Sequence, residues 1–281
     1  MTTVRACLDD GARALSGDAA RREAALLLRH VLGVPDAWLI AHSDDVVDAA
    51  HTVVFRDLVE RRARGEPVAY LTGTRGFHDI ELRVAPGVLI PRPETEVLVD
   101  LALQRIPADA ECNVADLGTG SGAIALAIAR ARPYARVVAT DVIDAALDIA
   151  RENGARLRID GVEFRQGDWY GGLADARYDV ILSNPPYIAE GDPHLHEGDL
   201  RFEPAAALAS GADGLDAIRV IVCGARRHLR NGGWLLLEHG FDQGADVRGL
   251  LLDQGFADLF TQDDLEGRER VTGGRISAPV L

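Results

Sequence analysis

The run Asn184-Pro185-Pro186-Tyr187 is the most chemically pointed stretch of this chain. An Asn side-chain oxygen beside a rigidly held backbone carbonyl makes two adjacent acceptors. Such a pair fits a planar NH2 group, with its two donors, on an amide or an amino-purine. The preceding Tyr178-Asp179-Val180-Ile181-Leu182-Ser183 is short and apolar and reads as a buried strand. Neither proline has an N–H to donate and both restrict φ, so the strand ends there. Asn184 is therefore expected at the carboxyl end of a strand, where open α/β sheets place their ligands. Tyr187 is expected to pack on the flat face of the bound group.

A second constellation lies upstream. Asp116-Leu117-Gly118-Thr119-Gly120-Ser121-Gly122 follows an apolar strand pattern and opens a helical one. Glycines there let the backbone turn tightly and approach a ligand closely. Gly118-x-Gly120-x-x-Ala123 meets the relaxed dinucleotide fingerprint, in which a pyrophosphate rests on a helix N-terminus. The same loop suits S-adenosyl-L-methionine, with Asp116 receiving the methionine ammonium group directly or through water. Asp141 ends the next strand and can accept from both ribose hydroxyls, or cap the following helix. Asp168-Trp169 ends a third strand, with a ring for an adenine and an acceptor for its amino group. Hydride transfer has no use for an amide clamp after the fourth strand, whereas methyl transfer to a weakly nucleophilic NH2 nitrogen needs one. Together the two constellations point to an S-adenosylmethionine-dependent N-methyltransferase.

These residues need elements to position them. From about Asn113 onward, strand and helix patterns alternate, which implies a mainly parallel sheet covered by helices. Leu215–Leu229 reads as a helix, Trp234–Glu238 as a strand, and the tail adds two strands. Thr3 to about Gly65 reads as helical throughout, with Ala24, Leu27, Leu28, Val31 and Leu32 on one face and Val54 and Leu58 on a second. Between the two lies a hairpin pattern, with Ala85-Pro86-Gly87 as its turn. The expected organisation is a helical domain over residues 1–73, a β-hairpin linker over 74–92 and an α/β domain over 93–281.

Composition narrows the class. The 281 residues are 47% hydrophobic and carry a formal net charge of −14. That balance argues against a broad nucleic-acid footprint, which needs clustered Lys and Arg. Cys7, Cys112 and Cys223 are dispersed and odd in number, so neither a metal spacing nor a disulfide framework is expected, in keeping with a reducing cytosol. No apolar stretch reaches membrane-spanning length, and the start lacks a signal-peptide core. His194 and His196, beside Asp192 and Glu197, make a poor ligand set and read as a solvated loop. Arg92 reads either as a carboxylate-holding entrance residue or as a surface arginine at a helix start. Glu203 and Glu238 read as buried and paired, and Asp253, Asp258, Asp263 and Asp264 as a solvated face.

Pro67–Gly73, Leu89-Ile90-Pro91-Arg92-Pro93-Glu94-Thr95-Glu96, the glycine loop, Ser183–Ile188 and Arg201-Phe202-Glu203-Pro204 form a joint signature. Gly211–Leu215, Leu237-Glu238-His239-Gly240 and Glu269-Arg270-Val271 complete it. The chain thereby resembles the bacterial peptide chain release factor glutamine N5-methyltransferases over most of its length. The resemblance implies a seven-stranded Rossmann-like class I methyltransferase domain behind an N-terminal helical domain and hairpin linker. It implies methyl transfer from S-adenosyl-L-methionine, leaving S-adenosyl-L-homocysteine, to the glutamine of the Gly-Gly-Gln motif of class I release factors. Implied cofactor contacts are Gly118, Thr119, Gly120, Ser121, Gly122, Asp141, Trp169 and Asn184, to which the residues themselves add Asp116 and Asp168. Asn184, Pro185, Pro186 and Tyr187 would hold the glutamine, with Asn184 and Pro185 as the catalytic pair. A cytoplasmic monomer is expected, with no membrane and no direct nucleic-acid partner. Asn-Pro-Pro-Tyr is shared with adenine methyltransferases of DNA and RNA, and a neighbouring subfamily modifies a ribosomal protein. The intact Ile-Pro-Arg-Pro-Glu-Thr-Glu stretch favours release factors.

Overall fold

A computed structural model describes residues 2–15 and 17–277. The chain divides into a first unit running to Thr74 that also takes in Gly198–Phe202, and a second comprising Arg75–Glu197 and the chain from Glu203 onward. In the first, β1 (Thr2–Thr3) precedes α1 (Val4–Leu15), α2 (Ala20–Leu32) and α3 (Asp36–Ala41). Then come β2 (Val46–Val47), α4 (Ala49–Ala63) and α5 (Val68–Thr72). Helix α2 buries Ala24, Leu27 and Leu28, the i, i+3, i+4 stripe that its sequence announces. It ends at Gly33, whose positive φ of 65° lets its N–H reach back to the last carbonyls. On α4 the buried stripe is Phe55, Leu58 and Val59, while Val54 is 50% exposed. Leu58 thus lies on the expected face, while Val54 gives way to Phe55, about 100° further around the helix. The segment is also not helical throughout: Thr2 and Thr3 pair antiparallel with Val47 and Val46. So short a ladder has no periodicity to read. Arg62 is held between Glu23 at 2.8 Å and Asp199 at 2.6 Å, which keeps it firmly charged.

The hairpin consists of β3 (Thr74–Phe77) and β4 (Ile80–Arg83), joined through His78 and Asp79. His78 takes the positive φ of 51° and its N–H donates to Glu96 Oε1 at 2.9 Å. The turn was expected at Ala85-Pro86-Gly87. That triplet does turn, with Val88 N–H donating to the Ala85 carbonyl at 3.2 Å, but the segment just after it forms no strand, and β4 on its upstream side pairs with β3 instead.

The rest of the second unit alternates as expected. In order come α6 (Glu96–Leu103), β5 (Cys112–Leu117), α7 (Ala123–Ala131), β6 (Ala135–Asp141), α8 (Asp144–Leu157) and β7 (Val162–Gln166). There follow β8 (Tyr178–Ser183), α9 (Asp216–His228), β9 (Leu229–Glu238), α10 (Gly244–Asp253), β10 (Phe256–Asp263) and β11 (Glu269–Ile276). The seven strands form one sheet, ordered β10-β11-β9-β8-β5-β6-β7. β5 through β9 are mutually parallel, and β11 runs antiparallel between β9 and β10. Both faces are covered, so β5 is buried at nearly every position. Val114 faces the core with α6 and α7; Ala115 and Leu117 face the one with α9 and α10. The order reverses at β5, whose neighbours are β6 on one side and β8 on the other. A crevice opens at the carboxyl ends there. Asp264 departs from the solvated reading: it is buried, paired with Arg270 at 3.1 Å, and accepts from the N–H groups of Glu266 and Arg268.

Candidate active site

The loop after β5 is tied to the end of β6. Gly118 and Thr119 both donate their N–H to the Thr140 carbonyl at 2.9 Å. Asp141 braces the same loop, since Oδ2 accepts from Gly120 N–H at 2.8 Å and Oδ1 from Ile143 N–H at 2.9 Å. It supports the loop rather than capping α8, which starts at Asp144. A fully buried Asn153 on α8 holds the third side. Its Nδ2 donates to the Ser121 carbonyl at 2.9 Å and to that of Arg83 at 3.0 Å, and its Oδ1 accepts from Arg83 N–H.

Gly118 has φ of +73°, and a Cβ there would stand 3.3 Å from the Trp169 ring. The glycine thus serves both the turn and the close approach of an aromatic face. Trp169 itself takes a positive φ of 45°, and its carbonyl accepts from the Thr140 hydroxyl at 3.0 Å. The next residue anchors this turn: the Tyr170 hydroxyl donates to the Ile221 carbonyl at 2.6 Å, and its ring stacks on His228.

Asp116 is fully buried behind the loop. Its Oδ2 accepts from the Thr119 hydroxyl at 2.6 Å, and Oδ1 has no partner among the described residues. Burial pushes this carboxyl up to about 7, with Asp141 adding to the effect and the Thr119 hydroxyl and Ala125 N–H opposing it.

At the end of β8 the Ser183 hydroxyl donates to the Leu117 carbonyl at 2.7 Å, locking the two central strand ends together. Asn184 follows, its Nδ2 donating to Thr95 Oγ1 at 3.0 Å. Pro185 is buried. The Tyr187 hydroxyl donates to Glu238 Oε1 at 3.3 Å, and its ring packs against the core under α9 and α10. Burial raises the Tyr187 phenol well above its ordinary value, and the Glu238 charge adds to that.

One cavity brings most of these residues together. It is lined by Gly118, Thr119, Gly120, Ser121, Asp141, Asp168, Trp169, Asn184 and Pro186. Asp116, Gly122, Pro185 and Tyr187 stand outside the lining: Gly122 is the N-cap of α7, and Tyr187 turns towards Glu238. The lining also includes Val88, Leu89, Pro91, Thr95, Pro204 and Ala207, none of which was singled out individually from sequence. Arg92 is the N-cap of the short helical turn Pro93–Thr95 and is half-buried, outside the cavity lining. It pairs with the buried Glu203 carboxylate, whose Oε2 also accepts from Ile90 N–H at 2.9 Å, and so joins the two segments that supply Pro91 and Pro204. Glu238 has no such cation partner at contact distance among the described residues. His194 is exposed and bonds to Asp192; no group of three or more potential metal ligands gathers among the described residues. No described helix is long and apolar enough to cross a membrane.

Residues 94–199 match the Methyltransferase small domain family, and residues 7–73 match the PrmC N-terminal domain family. The release factor glutamine methyltransferase of Xylella fastidiosa strain Temecula1 is 57% identical over 255 residues, covering 91% of this chain and 93% of that one. That of Pseudomonas aeruginosa strain PAO1 is 48% identical over 275 residues, covering 98% and 99%. The fold is also that of the T. thermophilus 16S rRNA N2 G1207 methyltransferase, solved with AdoMet and guanosine. That match has a TM-score of 0.54 at 22% identity, over 72% of this chain and 49% of the other.

Proposed function

The chain belongs to the release factor glutamine methyltransferase family, and from that membership we propose that it methylates the side-chain N5 of the Gly-Gly-Gln glutamine in class I peptide chain release factors. The modification supports translation termination. The methyl donor is S-adenosyl-L-methionine, whose sulfonium carries an electrophilic methyl group.

The residues present fit that donor. Trp169, packed against Gly118, presents its ring at the cavity wall for a flat group to lie on, and Asp168 borders it. Asp141 has one lone pair on each oxygen engaged and others open for ribose hydroxyls. Asp116 lies behind the loop with an orphaned oxygen, so when ionised it would attract the ammonium group through its charge rather than by a lining contact. Thr119, Gly120, Ser121 and Gly122 supply the loop backbone.

The observation that carries the reading is Asn184. It lines the same cavity as the glycine loop, and its Nδ2 is committed to Thr95. Oδ1 is then the atom left for a ligand; the Pro185 carbonyl, on a residue outside the lining, is the second acceptor this reading requires. Two acceptors suit one amide NH2 and fix its plane. An amide nitrogen is a poor nucleophile because its lone pair is delocalised, so orientation does most of what the protein can do. Positioning supplies up to about 7–11 kcal/mol in well-oriented cases. Acceptors facing the nitrogen as it gains positive charge add electrostatic stabilisation. Pro186 borders the same pocket, and Tyr187 supports it from behind. The enzyme is proposed to act in the cytoplasm, where its substrate works, and as a monomer.

The test is transfer of labelled methyl to purified release factor, to its Gly-Gly-Gln→Gly-Gly-Ala variant, and to DNA and RNA in parallel. Label on the wild-type factor alone is expected. Label on nucleic acid, with none on the factor, means that the clamp holds an adenine.

A further inference from the structure

Glu238 ends β9 beside the clamp and is fully buried, yet the reaction as described makes no use of it. Its Oε1 accepts from the Tyr187 hydroxyl at 3.3 Å, and its Oε2 has no hydrogen-bond partner of good geometry among the described residues. The Thr95 hydroxyl, itself buried, is near enough to the carboxyl to favour its charged form, without a hydrogen bond of good geometry to it. Arg270 from β11 acts in the same sense, and Glu94 opposes it. Thr95 Oγ1 in turn accepts from Asn184 Nδ2 at 3.0 Å.

A hydroxyl has one proton and can point it one way only. When Glu238 is ionised, the Thr95 proton turns towards it and only lone pairs face Asn184. The amide must then present Nδ2 to Thr95 and Oδ1 to the ligand. When Glu238 is neutral, its own proton can be given to Thr95. The hydroxyl proton turns to Asn184, the amide flips, and an NH2 group meets the glutamine NH2, donor against donor. We propose that Glu238 is the positioning residue of the clamp: through Thr95 it sets which face of the Asn184 amide meets the substrate, and through Tyr187 it holds the turn that carries Asn184.

This rests on the glutamine reading above. Burial pushes the Glu238 carboxyl up to about 7, so on this proposal the orientation changes near neutral pH. The ionised, productive form grows as pH rises through that value.

The experiment uses the full chain with saturating S-adenosylmethionine and purified release factor, comparing wild type, Glu238→Gln, Thr95→Val and Thr95→Ser between about pH 6 and 8. Wild-type kcat is expected to rise with an apparent midpoint near 7. Glu238→Gln has a nearly isosteric side chain but offers an N–H to Thr95 once its oxygen is kept by Tyr187. Its kcat should fall roughly thirtyfold or more at the upper pH and lose the rise, with cofactor Kd changed by less than about threefold. Thr95→Val should match it, whereas Thr95→Ser should keep most of kcat and the pH profile. In the 15N-labelled enzyme without substrate, the Asn184 side-chain NH2 resonances should move with pH in wild type and stay still in Glu238→Gln. Wild-type kcat and profile in Glu238→Gln, or Thr95→Ser as inactive as Thr95→Val, overturns the proposal. So does an Asn184 resonance that ignores both pH and Glu238. If wild type leaves the release factor unlabelled, the glutamine reading fails by itself, and the resonance experiment still judges the chain from Glu238 to Asn184.

Discussion

The role proposed for Asn184 is geometric, and geometry can be removed by deleting a side chain. Asn184→Ala deletes one of two acceptors and leaves the Thr95 hydroxyl without its donor. The expected result is a kcat about 10²–10³-fold lower, as for loss of one preorganised partner at a reacting centre. Cofactor affinity should weaken only severalfold, because the loop, Asp141 and Trp169 remain. Single-turnover methyl transfer beside equilibrium cofactor binding separates the two. Collapse of cofactor binding with turnover intact at saturation would remove the clamp role. At this scale the sequence was readable in placement: Asn184, Asp141 and Trp169 each stand at or just beyond the carboxyl end of a recognisable strand, and all three line the cavity. It was unreadable where meaning came from a distant partner. Thr95 serves Asn184 across 89 positions, and Glu238 serves Tyr187 across 51. The one local sign of Glu238 was an acid closing the apolar run Trp234-Leu235-Leu236-Leu237 at a strand's carboxyl end.

The elements were more legible than their junctions. Alternating apolar runs and amphipathic stripes placed the strands and helices of the α/β unit, since each must bury a face and the burial imposes its period. Junctions obey local backbone chemistry instead. The hairpin turns at His78-Asp79 because His78 accepts a left-handed conformation with Glu96 holding its N–H, a contact no window of sequence contains. The turn bearing Trp169 is likewise held from outside, by Tyr170 lying against α9 at Gly224. A Cβ on Gly224 would fall 2.4 Å from the Tyr170 ring. Gly224→Ala should therefore displace that ring and loosen the turn, although residue 224 is remote from the cavity lining. Overpacking of this kind costs about 1–3 kcal/mol. If most of it is relieved by moving the turn, cofactor Kd rises by about 5- to 150-fold. Titration calorimetry with S-adenosylmethionine measures this, and kcat at saturation should stay close to wild type. An unchanged Kd would show that α9, not the turn, absorbs the added methyl group.

For the molecule as a whole, the crevice proposed for the cofactor carries a cost in stability. Asp116 and Glu238 are fully buried acids beneath one site, each pushed up to about 7. A carboxyl whose folded pKa is raised holds its proton in the native state after the unfolded chain has lost it. Its stabilising contribution is complete below the unfolded value, near 4, and is lost as pH rises through about 7. His239, whose burial lowers its pKa, works in the opposite sense, losing stability as pH falls below the ordinary histidine range. The two trends overlap, so the raw melting curve of the wild type does not separate them. The difference between wild type and Asp116→Asn does, because His239 and Glu238 are common to both. Asn cannot ionise, so the variant should gain on wild type by at most about 1.4 kcal/mol for each pH unit between about 5 and 7. That is about 2–4 °C in Tm per kcal/mol for a domain of this size. Saturating S-adenosylmethionine brings a cation to the buried charge and should narrow the gap, since it stabilises the ionised Asp116 that only the wild type has. Parallel Tm–pH curves for wild type and variant would mean that Asp116 stays in one protonation state throughout, and the loop would then owe its attraction for the ammonium group to some other residue.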